Sequence, residues 1–301
     1  MSVVEQIATI VSLAIFLFFA AYALVTFGLI LLSLFETALI KVDRGEEFRP
    51  PKRLRRPGMT LVAPTYQNQP VIVPSVRSFL SSDYDPFEIV IVDDGSRDRT
   101  AQIADELARA HAGIVRAVHH PTNLGYGAAL LSGFRASRYE LVAFTDGDRQ
   151  FRVADLRLLT DRLAASDAPD AVVGYRIKRA DPLIRTLYAR AYRFANRVWF
   201  GLRVRDVDCA CKLFRRDSLD GIAVESGGAF FSAELLIKLR ATGRNIVEVG
   251  VPHHPRTAGA ATGAKPSVVL RAVRDFWLLR LRMWANRSQA LTRGEPVLAD
   301  L

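Results

Sequence analysis

Cysteine is scarce in this chain, which has only Cys209 and Cys211 among its 301 residues. Two thiols separated by one residue are too close for a usual structural disulfide and too few for a zinc cluster. They fit a reducing compartment, and we expect them to be packed thiols near a strand. Internal repeats and low-complexity segments are also missing, which excludes a repeat array or a scaffold.

Basic residues are missing before Lys41, and charge of either sign is missing from Ile7 to Phe35. A cleaved signal peptide needs a basic start, a shorter apolar run and a small-residue cleavage site. A helix over the uncharged stretch, rising about 1.5 Å per residue, exceeds the roughly 30 Å hydrocarbon core of a bilayer. We therefore expect residues 1–40 to be a single N-terminal transmembrane anchor.

The chain has a formal net charge of +10, and basic residues cluster directly after this anchor. The basic residues there are Lys41, Arg44, Arg49, Lys52, Arg53, Arg55 and Arg56. By the positive-inside rule they predict that everything downstream is cytoplasmic. Anionic lipid is a nearer partner for them than nucleic acid. We expect residues 41–58 to be a basic linker. A composition poor in lysine and rich in arginine and alanine is typical of a GC-rich bacterium, so we expect the membrane to be a bacterial inner membrane.

From Met59 onward, short β-branched strands alternate with amphipathic helices. The predicted strands are 60–63, 88–92, 115–119, 141–145 and 171–174, and the predicted helices are 71–80, 100–112, 128–137, 154–165 and 182–199. This alternation predicts an α/β catalytic domain over 59–260, with a mostly parallel sheet flanked by helices. Such sheets bind ligands beyond the carboxyl ends of their strands.

Acidic pairs follow two of the predicted strands. Asp93 and Asp94 offer acceptors for ribose hydroxyls or a base N–H group, with an Asx turn or a helix cap as the alternative. Asp146 and Asp148 follow a buried strand, and carboxylates at this spacing can share a Mg²⁺ or Mn²⁺ ion. The same spacing recurs at Asp83/Asp85 and at Asp206/Asp208. We select Asp146/Asp148 as the metal pair, because only this pair follows a strand in register with the other site loops.

Two further segments could contact phosphate. The run from Asn123 through Gly125 and Gly127 precedes a helix, so its backbone N–H groups can approach a phosphate. It is neither a dinucleotide fingerprint nor a Walker loop, which argues against NAD enzymes and NTPases. Planar guanidinium groups clamp phosphates, with a solvated or lipid-facing charged surface as the alternative. The candidate arginines are Arg176, Arg185, Arg190, Arg193 and Arg197.

Apolar residues recur at helical spacing near the end of the chain. They are Leu270, Val273, Trp277, Leu281 and Trp284, with arginines interspersed. We expect residues 261–301 to be an amphipathic segment at the membrane interface, the alternative being a helix packed on the core.

In order and separation, these motifs resemble the inverting family 2 glycosyltransferases, in particular the dolichol-phosphate mannose and polyprenyl-phosphate glucose synthase group. The matching pieces are APTY at Ala63, IVDDGSRDRT at Ile91, NLGYGAALLSGF at Asn123, TDGDRQF at Thr145, GYR at Gly174, DVDCACKLFRR at Asp206, FFSAELL at Phe230 and EVGVPHHPRTAG at Glu248. The resemblance implies a GT-A fold and a nucleotide-sugar donor of the UDP-glucose or GDP-mannose type. It also implies a polyprenyl or dolichyl phosphate acceptor, inversion, and Mg²⁺ or Mn²⁺.

The resemblance further implies roles for individual residues. Those lining the nucleotide site are Pro64, Tyr66, Asp93 and Asp94, and those around the metal are Asp146, Asp148 and Gln150. Arg176 and Arg185 would grip the acceptor phosphate. Arg256, with Lys265 as a further candidate, would face the donor diphosphate or a mobile loop.

The chain departs from the family pattern at Gln67-Asn68, where the family usually has Asn-Glu, so a carboxylate near the base is missing and the donor preference is open. The signature Gln-x-x-Arg-Trp is absent, which argues against polymer synthesis. One alternative is the same fold acting on a lipid, glycan or protein hydroxyl, with Asp206, Asp208 or Glu234 as the base. Another is a non-catalytic, membrane-anchored subunit that binds nucleotide sugars. A nucleic-acid binder ranks third, and the sequence does not specify an oligomeric state.

Overall fold

The computed structural model describes residues 12–13, 15–24, 26–27, 56–147, 150–177, 183–254 and 266–293. The chain divides into two units, residues 1–55 and 56–301. Described residues of the first unit are helical and expose large apolar side chains, among them Phe16, Phe18 and Leu24. Over the described ranges, no helix has both the length and the apolar character needed to cross a bilayer. Most of the predicted anchor and basic linker lies outside these ranges.

The second unit is built on one sheet. Its strands are β1 (Met59–Thr65), β2 (Phe87–Asp93), β3 (Val115–His119), β4 (Leu141–Phe144), β5 (Ala171–Arg176), β6 (Lys212–Arg215) and β7 (Ile246–Val251). They are arranged in the order β3-β2-β1-β4-β6-β5-β7. β6 is antiparallel to β4 and β5, and the other neighbouring strands are parallel. The predicted α/β fold with a mostly parallel sheet is confirmed.

Helices cover this sheet. They are α1 (Ile72–Leu80), α2 (Thr100–Ala110), α3 (Tyr126–Ala136), α4 (Leu156–Leu163), α5 (Leu183–Phe200), α6 (Phe231–Ala241) and α7 (Pro266–Arg293). α1 buries Ile72, Val76 and Phe79, the spacing of one helical face, whereas all residues of β1 are buried. The helix predicted from Ala154 begins as a short 3-10 turn at Val153–Asp155 and continues as α4.

The sequence patterns did not predict β6, α6 and β7. α6 buries its residues from Phe231 to Ile237, so it has no polar face and no amphipathic period. β6 has only four residues and begins and ends with a basic side chain, which leaves too little alternation to identify a strand. Burial on all sides therefore hid α6, and short length hid β6.

The strand register brings the predicted site loops to one edge. Thr65 at the end of β1 pairs with Asp93, and Val62 pairs with Phe144 at the end of β4. Because β6 runs the opposite way, its first residue Lys212 pairs with Phe144 and lies at the same edge. The Asp83/Asp85 segment precedes β2 and lies at the other edge of the sheet. The choice of Asp146 over Asp83/Asp85, made from position relative to the strands, agrees with this arrangement.

Candidate active site at the carboxyl edge of the sheet

Asp94 holds the glycine loop that follows β3. Its carboxylate accepts the backbone N–H groups of Leu124 at 2.8 Å and Gly125 at 2.9 Å, and it lies 2.7 Å from Nδ1 of His120. Asp94 is buried, so these bonds form in a low-dielectric environment that strengthens them. Gly125 has a φ of +99°, which a residue with a Cβ rarely adopts. Asp94 therefore fixes the shape of residues 123–125.

Tyr126 links this loop to the acidic residue after β4. Its hydroxyl donates to Oδ1 of Asp146 at 3.0 Å, and its ring packs edge-on against Phe231. Asp94 and Asp146 are thus joined at one edge through the intervening segment 124–126. The strand-end rule predicted this proximity, but no sequence signal selected Tyr126.

A second glycine loop packs against the first. The carbonyl oxygen of Gly227 accepts the N–H of Gly127 at 3.0 Å. A Cβ placed on Gly127 would lie 2.4 Å from the carbonyl oxygen of Ser226. Only glycine permits this approach of the two backbones. The N–H groups of Leu124, Gly125 and Gly127 are therefore donors within the protein here, rather than toward a phosphate as the sequence analysis expected.

Glu234 holds the second loop in place. This buried carboxylate accepts the N–H groups of Glu225 at 3.0 Å and Ser226 at 2.8 Å, and pairs with Lys238 at 2.7 Å. Burial raises the pKa of Glu234, but the bonds from Lys238 and the two backbone N–H groups outweigh it and lower the pKa. A carboxylate so occupied is poorly suited to take a proton from a hydroxyl acceptor.

A cleft of about 340 Å³ opens beside the ends of β1, β2 and β3. Of the predicted nucleotide-site residues, Tyr66, Asp93 and Asn123 line it. Tyr66 is 41% exposed, whereas Pro64 is buried within β1. The cleft therefore combines an accessible aromatic ring with a buried carboxylate.

His119 bridges two carboxylates in this cleft. Its Nδ1 lies 3.4 Å from Asp93 and its Nε2 lies 2.9 Å from Asp105. Neutral imidazole carries one N–H, so only the imidazolium donates to both. Burial lowers the pKa of His119, but the hydrogen bonds and charges of Asp105 and Asp93 outweigh it and raise the pKa. No sequence signal selected His119, the last residue of β3, or His120, which follows it, although both lie at a strand end as the selected clusters do.

The predicted metal residues are partly described. Asp146 and the amide oxygen of Gln150 are hard donors of the kind that Mg²⁺ and Mn²⁺ prefer. Gln150 is held by the backbone of His254, whose N–H donates to the carbonyl oxygen of Gln150 at 3.0 Å. Asp148 lies outside the described residues. Within the ranges given above, no group of three His, Cys, Asp or Glu side chains forms a metal site.

Arg176 makes a two-pronged ion pair with Asp206. Nε lies 2.6 Å from Oδ2, and Nη2 lies 2.7 Å from Oδ1. Burial lowers the pKa of Arg176, but the hydrogen bonds and charge of Asp206 outweigh it and raise the pKa. This pair places a guanidinium at the end of β5, on the edge that carries Asp146. The backbone of Arg185 lies in α5, but its side chain lies outside the described part of the chain. Arg256 and Lys265 also lie outside the described part.

Residues 60–222, more than half of the chain, match the sequence profile of the family described as Glycosyl transferase family 2. The chain belongs to this family. The family resemblance predicted from the motifs is therefore confirmed. The site described above lies mostly within the matched segment, and α6 with Glu234 lies beyond it.

Several named glycosyltransferases and sugar-phosphate synthases are similar to this chain over 58% to 74% of its length. Polyprenol monophosphomannose synthase of Mycolicibacterium smegmatis is 30% identical over 226 residues, covering 70% of this chain and 83% of that protein. Undecaprenyl-phosphate 4-deoxy-4-formamido-L-arabinose transferase of Pseudomonas aeruginosa is 34% identical over 175 residues, 58% of this chain and 50% of that protein. Glycosyltransferase AglD of Haloferax volcanii is 28% identical over 232 residues, 74% of this chain and 36% of that protein. The family 2 chain spans half or less of the last two proteins.

Solved structures share the fold. Glucosyl-3-phosphoglycerate synthase from Mycobacterium tuberculosis, in complex with Mn²⁺, UDP and phosphoglyceric acid, superposes with a TM-score of 0.61 at 19% identity. The superposition covers 77% of the family 2 chain and 84% of that structure. The predicted GT-A fold is confirmed at the level of architecture.

Proposed function

We propose that this chain transfers a hexose from a nucleoside diphosphate sugar to a polyprenyl phosphate, with inversion at the anomeric carbon. The observation that carries the proposal is the convergence of Asp93, Asp146 and Arg176 at one sheet edge. Two relatives support the acceptor class, since they are named for a polyprenol monophosphate product and for undecaprenyl phosphate.

The nucleoside would occupy the cleft beside β1, β2 and β3. Tyr66 offers a ring face for stacking, and Asp93 offers a buried acceptor for a ribose hydroxyl or a base N–H. Asn123 reaches the same cleft, while Asp94 and Gly125 act on it by fixing the loop that carries Asn123. Pro64 supports this wall from within β1. UDP-glucose and GDP-mannose types of donor both fit these groups.

The diphosphate would lie toward the end of β4. Asp146, Asp148 and Gln150 would hold a Mg²⁺ or Mn²⁺ ion, whose charge neutralises a departing diphosphate. Mn²⁺ or Mg²⁺ occurs together with UDP in solved complexes of glucosyl-3-phosphoglycerate synthase. Tyr126 donates to one oxygen of Asp146 and so orients its carboxylate. We place Arg256 near the diphosphate on the family resemblance alone.

The acceptor phosphate would attack the anomeric carbon directly. One phosphate oxygen forms the new bond to carbon while the bond from carbon to the diphosphate oxygen breaks. A phosphate monoester has a second pKa near 6, so it is nucleophilic at neutral pH without a strong base. This agrees with the structure, where Glu234 is bound to backbone N–H groups and Asp206 to Arg176. Arg176 and Arg185 would position the phosphate.

An exposed aromatic and basic surface fits a membrane next to this site. It consists of Trp199 from α5 and of Trp277, Leu281 and Trp284 from α7, each at least 41% exposed. Trp199 contacts Trp277 with ring centroids 5.0 Å apart, and Arg280 lies over the Trp199 ring. Buried Phe276 packs α7 against Phe200 of α5. α7 is thus core-packed on one face and exposed on the other, and we propose that the exposed face binds anionic lipid.

The uncharged stretch from Ile7 to Phe35 supports a membrane anchor as part of the same proposal. The basic segment 41–58 would then lie at the cytoplasmic surface. Anchor and exposed face together would keep residues 59–260 at the headgroups, where a polyprenyl phosphate presents its phosphate.

Tryptophan fluorescence tests the lipid contact, because the sequence has only three tryptophans and all lie on this surface. In anionic vesicles with brominated acyl chains, we expect strong quenching of the full-length chain. Leu281→Glu should reduce the quenching, and Ile114→Glu, at an exposed position on another surface, should not. Fluorescence that is quenched by aqueous acrylamide but not by brominated lipid would contradict the contact.

The pH dependence of nucleotide binding tests the cleft. The imidazolium of His119 neutralises Asp93 and Asp105, and its positive charge favours binding of the diphosphate. That positive charge is lost as the pH rises through the raised pKa of His119. We therefore expect the Kd for a nucleoside diphosphate to rise about threefold between about pH 6 and pH 8.5 by calorimetry. His119→Gln should show a flatter profile. Equal slopes for the two proteins would contradict the assignment.

A donor panel tests the proposed function as a whole. Membranes containing the chain are supplied with polyprenyl phosphate and with radiolabelled UDP-glucose or GDP-mannose. We expect one donor to give a lipid product that mild acid hydrolyses, in a reaction that a metal chelator abolishes. Sugar-nucleotide binding without any transfer across the panel would instead support the non-catalytic subunit.

A further inference from the structure

Lys212 is an ionisable side chain out of contact with water. It is fully buried at the start of β6, between the ends of β4 and β5. Its ammonium donates to the carbonyl oxygen of Val207 at 2.9 Å and to that of Cys209, and it lies 5.2 Å from the centre of the Phe144 ring. Across the part of the chain that the structure describes, no carboxylate oxygen lies within 4.0 Å of the Lys212 ammonium nitrogen, the distance limit for an ion pair.

Such a charge is costly for folding alone. Burial lowers the pKa of Lys212, and the negative groups nearby, among them Asp208, Asp206 and Asp146, oppose that effect. Replacing buried charges by apolar side chains of similar volume is often neutral or stabilising. Buried charges with perturbed pKa values are instead common at functional sites, where fixed charge is useful.

The position of Lys212 indicates its use. Its contacts to Val207 and Cys209 fix the segment between Asp206, which binds Arg176, and the start of β6. Its ammonium also faces the ring of Phe144, two residues before Asp146. Lys212 therefore lies between the proposed acceptor side of the site and the proposed diphosphate side.

We propose that Lys212 is a positioning residue whose buried positive charge favours the diphosphate of the donor. A preoriented charge in a low-dielectric site requires no reorganisation when the ligand arrives. The inference rests on the proposed function, since it assumes that a nucleoside diphosphate binds at the Asp146 edge. It gives a role to a residue of the DVDCACKLFRR motif to which the family resemblance assigns none.

Three variants separate charge from structure. Lys212→Gln keeps N–H donors for the two carbonyl oxygens without the charge, Lys212→Arg keeps the charge, and Lys212→Met keeps neither. With Mn²⁺ present, we expect Lys212→Gln and Lys212→Met to raise the Kd for UDP or GDP about tenfold. Lys212→Arg should stay within about threefold of the natural protein. Uridine or guanosine, which lack phosphate, should bind all four proteins about equally by ligand-observed NMR.

The outcomes distinguish this inference from the function on which it rests. If the natural protein binds neither UDP nor GDP, the proposed function fails and the inference fails with it. If the natural protein binds one of them and Lys212→Gln binds it equally well, only the inference fails. Equal losses for the nucleoside and its diphosphate would also overturn it, because they would show a general effect on the fold. If one variant does not fold, the other two and the natural protein still allow a protein with the charge at position 212 to be compared with one without it.

Discussion

Asp146→Asn is expected to lower turnover by about a thousandfold or more. The substitution removes one negative charge from the proposed metal ligands and hardly changes the shape of the side chain. The amide oxygen can still accept the Tyr126 hydroxyl, which lies 3.0 Å from Oδ1 of Asp146. The protein should therefore fold normally while losing transfer. The measurement is the rate of label transfer from nucleotide sugar to lipid at saturating donor.

Asp83→Asn provides a matched control. Asp83 belongs to a pair with the same spacing as Asp146/Asp148, but it lies at the opposite edge of the sheet in an exposed ion pair with Arg157. Its substitution should leave transfer unchanged, because exposed ion pairs contribute little. An Asp146→Asn protein that transfers sugar within tenfold of the natural rate, a margin of about 1.4 kcal/mol, would contradict the metal assignment.

Arg176→Met is expected to lower the free energy of unfolding by about 3–5 kcal/mol. The variant leaves Asp206, whose side chain is 7% exposed, without the guanidinium that it contacts at 2.6 and 2.7 Å. An unpaired buried carboxylate costs far more than the loss of an exposed pair. Chemical denaturation of the purified chain measures the difference. A change below about 1 kcal/mol would contradict the geometry of this pair.

A double variant separates the structural and catalytic parts of Arg176. Arg176→Met combined with Asp206→Leu removes both charges, so most of the lost stability should return. If Arg176 also positions the acceptor phosphate, the double variant should stay impaired, with a raised KM for polyprenyl phosphate and an unchanged Kd for the nucleotide. Recovery of full transfer together with stability would show that Arg176 acts only through the fold.

The strand-end rule explains why so much of the site could be predicted from the sequence. Asp93, Asp94 and Asp146 lie at or just after the carboxyl ends of buried strands, and parallel strands end at one edge whatever their order. That rule requires no knowledge of which strands are neighbours. It therefore placed these carboxylates together, and the register of β1 with β2 and β4 agrees.

Contacts that depend on strand order could not be predicted in this way. His119 meets Asp93 because β3 pairs with β2, and Arg176 meets Asp206 because β6 inserts antiparallel between β4 and β5. β6 itself gave no periodic signal. The sequence therefore indicated Arg176 as a candidate without its partner, and it indicated no role for Lys212 within the DVDCACKLFRR motif. The path of the segment before β6 determines both contacts.

The apolar residues of α7 illustrate a limit of amphipathic patterns. The residues predicted to face the membrane, such as Leu270 and Trp284, are exposed on α7. Phe276 and Leu279 on the same helix are buried against the core, as the alternative prediction required. A single helix can satisfy both patterns, because one face packs and the other remains exposed.

Mass spectrometry of both products of one reaction tests the central claim most directly. The purified full-length chain in lipid nanodiscs is given polyprenyl phosphate, Mn²⁺ and the donor selected by the panel. If the acceptor phosphate attacks the anomeric carbon, the products are a nucleoside diphosphate and a polyprenyl monophosphate hexose in equal amounts. Release of a nucleoside monophosphate with a polyprenyl diphosphate hexose, or hexose transfer to polyprenol in place of its phosphate, would contradict the account.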